Sequence, residues 1–93
     1  MQNTESFGRG NIWQDITIAD TVPFTLSVSY VPESENEYIT MSPDTVNEEI
    51  FYYTTKTGTA GWAGTINVTG RGYNKNDSTQ DAGNYKEHDV NSV

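Results

Sequence analysis

The chain contains no cysteine, so neither a disulfide framework nor a thiolate metal site can reinforce its fold. Basic residues are also few: 5 against 13 acidic ones, which gives a net charge of −8. Nucleic acids and anionic membrane surfaces both attract basic patches, so we expect neither as a partner. No apolar run approaches the roughly 20 residues that cross a bilayer. Because the first residues lack the basic and apolar parts of a secretory signal, we expect synthesis in the cytoplasm.

Residues that carry chemistry are equally scarce. The single histidine, His88, lies between Glu87 and Asp89, and these charged neighbours predict a solvated ring rather than a positioned base. A zinc site would need further nitrogen or sulfur donors, which the chain does not offer. The carboxylates near Asp44 lack the twelve-residue spacing of a calcium loop. We therefore expect no enzymatic activity, no metal and no cofactor.

The length of 93 residues fits one domain. Residues 1–10 are polar and contain two glycines, which predicts an N-terminal arm, and residues 11–93 form a single β domain. In the arm, Phe7 is the natural apolar anchor for a partner, and Arg9 would pair with a carboxylate there. The alternative is an untethered terminus, which is how most chain ends behave.

Alternating apolar and polar residues dominate the domain. The run from Phe24 to Tyr30 is the clearest, with every second side chain apolar, and it predicts a half-buried strand. Ile12, Ile16 and Ile18 similarly share one side of their segment. Further strands are predicted over 38–41, 48–55, 65–69 and 85–90. A capping box at residues 45–48 favours a helix there, but the β-branched and aromatic run at 50–55 favours a strand, which we prefer. The expected fold is all-β, a small antiparallel β-sandwich or barrel of five to six short strands.

Large aromatic side chains raise the question of a partner. Trp62 lies in a loop with three glycines, where it could insert into a partner protein, stack on a sugar ring, or fold back over the open end of a barrel. Trp13, opposite the isoleucine side of its segment, and the pair Tyr52 and Tyr53 pose the same question. We expect Trp13 and Trp62 to take part in partner binding.

The second half of the chain resembles a module of tailed-bacteriophage structural proteins. The resemblance covers about residues 48–93 and rests on the segments EIFYY at 49–53, TINVTGRG at 65–72 and HDV at 88–90. Its motif residues here are Glu49, Tyr53, Arg71, Gly72 and His88, and the Arg71–Gly72 step is the most specific part. The chain departs from the module by the additional Gly70, by the long loop at 73–84, and by Asn91 and Ser92 where a glycine is usual.

The resemblance implies a non-catalytic structural protein of the virion: a capsid decoration, fibre-anchoring or tail-appendage module that binds other virion proteins. Fibres of this kind are commonly trimers, so a homo-oligomer of three copies is expected. The alternative function is a receptor-binding adhesin that recognises a host-surface glycan. In physical terms, Gly72 permits a positive φ at the strand end. Arg71 can pair with Glu48 or Glu49 of the preceding hairpin, or with the last strand of the sheet.

Overall fold

Five strands form one sheet in the computed structural model, which describes residues 5–6, 10–74 and 76–93. The described chain is all-β: it contains no α-helix, and its one helical element is a 3₁₀ turn at Ala82–Asn84. No helix in these residues is long and apolar enough to cross a membrane. In chain order, the strands are β1 (Glu5–Ser6), β2 (Phe24–Val28), β3 (Glu37–Met41), β4 (Glu49–Thr57) and β5 (Gly64–Gly70).

The sheet is antiparallel over its four longer strands, which lie in the order β3-β4-β5-β2. The two-residue β1 pairs in parallel with the outer edge of β3. At the opposite edge, the segment before β2 covers part of the strand. There the amide of Trp13 donates to the carbonyl of Ser27 (2.9 Å), and the side-chain oxygen of Gln14 accepts from the amide of Ser27 (2.9 Å). Covering in this way satisfies backbone groups that an edge strand otherwise leaves open to pairing with another chain.

One face of the sheet carries the hydrophobic core, because successive side chains of a strand point to opposite faces. In β4, Phe51 and Tyr53 are buried on this face, whereas Tyr52 between them lies on the other face and is half-buried. Residues outside the sheet complete the core. Its buried members are Ile12, Ile16, Leu26, Val28, Val31, Ile39, Met41, Phe51, Tyr53, Ile66 and Val68.

The strands expected at 24–30, 38–41, 48–55 and 65–69 are present with shifted ends, and residues 49–57 form a strand rather than a helix. The strand expected at 85–90 is wrong, since that segment makes only an isolated bridge between His88 and Ile16. The expectation that Ile18 shares one side with Ile12 and Ile16 is also wrong: those two are buried, whereas Ile18 is 59% exposed because residues 17–20 form a turn. The finer expectation of a five- to six-stranded sandwich or barrel stays a prediction.

The predicted N-terminal arm lies largely outside the described residues, and so do Phe7 and Arg9. Of residues 1–10, the structure describes the backbone of β1 and Gly10. Gly10 packs closely against Tyr30, since a Cβ added at Gly10 would lie 2.5 Å from the Cβ of Tyr30.

Candidate functional site

Arg71 follows β5 and is the largest fully buried side chain among the described residues. Its Nε and one terminal nitrogen donate to the two carboxylate oxygens of Glu49, at 2.8 and 2.9 Å. Its other donor bonds go to the backbone carbonyls of Thr17 (2.8 Å), Asp20 (2.9 Å) and Lys86 (3.0 Å). A guanidinium has five N–H groups, and this arrangement satisfies all of them. Of the carboxylates considered from the sequence, Glu49 is the partner of Arg71.

Glu49 lies at the start of β4, on the same face as Phe51, and its side chain is fully buried. Besides Arg71, its carboxylate accepts from the amide of Lys86 (2.8 Å) and from Nε2 of His88 (2.8 Å). Burial alone would raise the pKa of Glu49. The hydrogen bonds from Arg71, His88 and the Lys86 amide outweigh this effect, so the pKa lies below its ordinary value. Glu49 is therefore held as a buried carboxylate.

His88 is 1% exposed, so the solvated ring expected from its charged neighbours is wrong. Its Nε2 faces a carboxylate oxygen of Glu49, which only accepts hydrogen bonds when ionised, so Nε2 carries a proton. Its Nδ1 lies 3.5 Å from the hydroxyl of Ser42. The ring packs edge-on against Phe51, with centroids 5.5 Å apart. The backbone of His88 is bound to that of Ile16 through two hydrogen bonds of 2.8 Å.

Gly72 and Tyr85 complete the surroundings of Arg71. Gly72 has a φ of +72°, as expected for the residue that ends this strand. A Cβ at Gly72 would lie 2.6 Å from the ring of Tyr85. That ring covers the guanidinium, whose carbon is 4.3 Å from the ring centroid. Tyr53, the remaining motif residue, lies elsewhere in the core and donates from its hydroxyl to the carbonyl of Ser34 (2.7 Å).

The cluster of Glu49, Arg71 and His88 connects parts of the chain that are far apart in sequence. It joins the start of β4 and the end of β5 to the turn at 17–20 and to the segment at 86–88. The side chains of all three residues have no exposed surface, and none of their buried polar atoms lacks a partner. The geometry therefore gives this cluster a role in holding the fold together.

Trp62 lies in the loop between β4 and β5, and its side chain is 71% exposed. It does not fold back over the core. The backbone of the loop is nevertheless fixed, because the amide of Gly61 donates to the carbonyl of Val31 (2.9 Å) and the amide of Val31 donates to the carbonyl of Trp62 (2.8 Å). Residues 57–64 carry no charge. The loop thus presents a large aromatic side chain on an uncharged surface whose backbone is hydrogen-bonded to Val31.

Other apolar side chains are also exposed. Trp13 is 52% exposed beside the β2 edge, away from the buried Ile12. Among the described residues, the remaining large apolar side chains at the surface are Ile18, Val46, Val90 and Val93.

Three tyrosines form a cluster on the face of the sheet opposite the core. Tyr38 of β3 lies directly across from Tyr52 of β4, with ring centroids 4.9 Å apart. Tyr73 packs edge-on against Tyr38 at 5.1 Å, and its ring lies over Gly70, where a Cβ would be 2.2 Å from the tyrosine hydroxyl. Desolvation raises the pKa of Tyr73, and the neighbouring Tyr38 and Tyr52 add to this effect.

A cavity of about 230 Å³ opens beside Tyr73. Its walls also include Ile50 at the start of β4, Asn74 and Asn84 from the long loop, and Lys86. The sequence gives no indication of this cavity, because its walls come from β4 and from loop residues that have no recognisable spacing. Within the described residues, no group of three or more His, Asp or Glu side chains is arranged to hold a metal ion.

No protein-family model matches this chain, and comparisons with curated proteins and with solved structures also find no match.

Proposed function

We propose that this chain is a non-catalytic structural protein of a tailed-phage virion, made in the cytoplasm of the bacterial host, and that it attaches to other virion proteins through Trp62. Such a protein is a capsid decoration, a fibre anchor or a tail appendage. The observation that supports attachment through Trp62 is the exposure of its side chain on a loop whose backbone is hydrogen-bonded to Val31.

Three features support this function. The side chains of Glu49, Arg71 and His88 form hydrogen bonds with one another inside the protein. This arrangement suits a structural role better than a catalytic one. Trp is enriched among the residues that dominate binding energy at protein interfaces. Its small, uncharged neighbours in the loop let a partner surface approach closely without desolvating a charge.

We further propose that the protein acts as a homo-oligomer, with three copies as in the fibres that the sequence resembles. The exposed Trp13, Ile18, Val90 and Val93 supply apolar surface for contacts between copies. Sedimentation equilibrium tests this. A monomer at high micromolar concentration would contradict the homo-oligomer. These side chains would then be expected to contact a different protein.

The attachment surface is tested with Trp62→Ala and a matched control, Val46→Ala. Val46 is the better-exposed side chain, at 88% against 71% for Trp62, so neither substitution should disturb the core. Loss of a central aromatic anchor costs about 2 kcal/mol or more, so we expect at least about a tenfold loss of particle binding for the Trp62 variant. The Val46 variant should bind like the wild type. If the Trp62 variant co-sediments with particles at full occupancy, the attachment surface lies elsewhere.

A second candidate function is recognition of a host-surface glycan. The cluster of Tyr38, Tyr52 and Tyr73, with the polar cavity beside it, is the observation that favours it.

A further inference from the structure

We propose that the cavity beside Tyr73 binds a neutral carbohydrate, in the size range of one sugar ring. This inference deepens the second candidate function, glycan recognition, and concerns a surface other than Trp62, so it is independent of attachment to the virion. The cavity volume of about 230 Å³ lies below the range of roughly 300 to 1,000 Å³ that is typical for drug-sized ligands. A ligand of one ring, or one terminal residue of a longer glycan, therefore matches its size.

Tyr73 supplies a rigid aromatic wall. Its ring is held by the edge contact with Tyr38 and by the space over Gly70. Its amide donates to the carbonyl of Ile50 (3.3 Å), which fixes the backbone at the rim of the cavity. A half-buried tyrosine of this kind presents an apolar ring and a polar tip together, and this combination suits a ligand that has C–H faces and hydroxyl edges.

The polar side chains around the cavity offer both donors and acceptors. Asn84 uses its amide nitrogen to donate to the carbonyl of Gly72 (3.0 Å), which leaves its oxygen as an acceptor. Asn74 accepts from the amide of Asn76 (2.8 Å), which leaves its nitrogen as a donor. Lys86 Nζ has no hydrogen-bond or ion-pair partner among the described residues and adds a second donor. Because a hydroxyl donates and accepts at once, a mixed set of this kind matches a polyol.

The charges around the cavity disfavour ionic ligands. Glu48 lies at the cavity wall, the charge of Glu49 is already paired with Arg71, and the whole chain carries a net charge of −8, so the surroundings do not favour an anion. The ammonium group of Lys86 opposes a cation in the same space. A neutral ligand avoids both penalties, since it does not bring an unpaired charge next to either sign.

The buried cluster prepares the site. The amide of Lys86 donates to Glu49 (2.8 Å) and its carbonyl accepts from Arg71 (3.0 Å), so the backbone that carries the lysine is fixed. The turn that carries Asn84 is closed by Asp81, whose side chain accepts from the amide of Gly83 (3.0 Å). A site that is ordered before binding loses less conformational entropy when the ligand arrives.

Binding is tested by two-dimensional ¹H–¹⁵N NMR of the full chain, titrated separately with galactose, glucose, N-acetylglucosamine and the anionic N-acetylneuraminic acid. We expect at least one neutral sugar to shift the amides of Tyr73, Asn74 and Lys86, with a dissociation constant on the order of 1 mM, as befits a ligand of about a dozen heavy atoms. The anionic sugar should bind more weakly. Absence of shifts at these amides for every neutral sugar, or tighter binding of the anion, would overturn the proposal.

Variants locate the site. Tyr73→Ala should weaken binding by roughly tenfold, and Tyr73→Phe should retain most of it because the ring remains. Lys86→Ala keeps the backbone bonds to Glu49 and Arg71, so it tests the lysine without disturbing the fold. It should weaken binding several-fold. Trp62→Ala should bind the sugar like the wild type, which separates this proposal from attachment through Trp62. If Trp62→Ala abolishes sugar binding while Tyr73→Ala and Lys86→Ala leave it unchanged, the sugar site is at Trp62 and the proposal is wrong.

Discussion

Replacing Arg71 with methionine tests how much the buried cluster stabilises the fold. Methionine keeps an unbranched side chain of considerable length but removes every donor. Glu49 would then retain bonds from His88 and the Lys86 amide, yet it would have lost the two charge-assisted hydrogen bonds from Arg71. The carbonyls of Thr17, Asp20 and Lys86 would also lose a donor.

The magnitude follows from burial. Breaking a buried ion pair by removing one partner costs about 3 to 5 kcal/mol, because an uncompensated charge remains inside. The carbonyls of Thr17, Asp20 and Lys86 lie in partly buried hydrogen bonds, and their loss together adds about 1 kcal/mol. A domain of 93 residues has a total stability of roughly 5 to 14 kcal/mol. At 4 °C or more for each kcal/mol, the melting temperature should fall by roughly 20 °C, or the variant should not fold at all.

The assay is thermal and urea unfolding followed by circular dichroism, with Lys56→Met as the matched control. Lys56 also donates to two backbone carbonyls, those of Pro32 and Glu33, but it is half-exposed and has no buried carboxylate as partner. Its loss should cost about 1 kcal/mol. The double variant Glu49→Leu/Arg71→Met should be more stable than Arg71→Met alone, since it leaves no unpaired buried charge. Equal melting temperatures for Arg71→Met and Lys56→Met would refute this reasoning.

Two further predictions concern the same cluster. Because the folded-state pKa of Glu49 is lowered, its contribution to stability is present above the ordinary value of 4.5 and is lost as pH falls through the lowered value. The ¹³C carboxyl shift of Glu49 in the folded protein should therefore titrate with a midpoint below 4.5, and a midpoint at or above it would contradict the hydrogen-bond geometry. Gly72→Ala should destabilise the protein by about 2 to 3 kcal/mol, since it combines a positive φ with a clash against Tyr85. Gly83→Ala is the control, because its Cβ would meet nothing closer than 3.5 Å, and its stability in the same denaturation experiment should be nearly that of the wild type. Equal losses of stability for the two variants would contradict the prediction for Gly72.

The strands of the sheet could be predicted from sequence because their signal is local. Residues 24–28 and 51–57 alternate between a more buried and a less buried face, and this period of two does not depend on the partner strand. The prediction of a strand, rather than the helix that the capping box at residues 45–48 favours, is also confirmed. The β-branched and aromatic side chains that follow suit a pleated surface better than a helix.

The segment at 85–90 could not be predicted in this way. A strand was expected there, but the amide and the carbonyl of Lys86 are bound by the side chains of Glu49 and Arg71 rather than by a neighbouring strand. Side-chain to backbone bonds of this kind compete with secondary structure and leave no periodic signal. Ile18 failed similarly, because the side chain of Asp20 accepts from the amide of Thr17 and closes a turn that interrupts the alternation.

The buried cluster is a tertiary feature. Nothing local to His88 indicates burial, since both sequence neighbours are acidic and its partner Glu49 lies 39 positions earlier. Composition and spacing alone predicted a solvated ring. The resemblance to the phage module, in contrast, named Glu49, Arg71 and His88 together, and the structure brings these three side chains into direct contact. Neither the composition and spacing of the sequence nor the resemblance to the phage module indicated the cavity beside Tyr73.

The proposed virion role is tested most directly by quantitative mass spectrometry of gradient-purified phage particles. The particles come from a host culture that expresses this chain together with the phage genes. We expect peptides of the chain at a fixed ratio to the major virion proteins, unchanged after a high-salt wash because the Trp62 contact is apolar. We also expect that ratio to fall at least about tenfold for Trp62→Ala and to stay unchanged for Val46→Ala. Particles that lack the chain altogether, while it accumulates in the unassembled fraction of the lysate, would contradict the central claim.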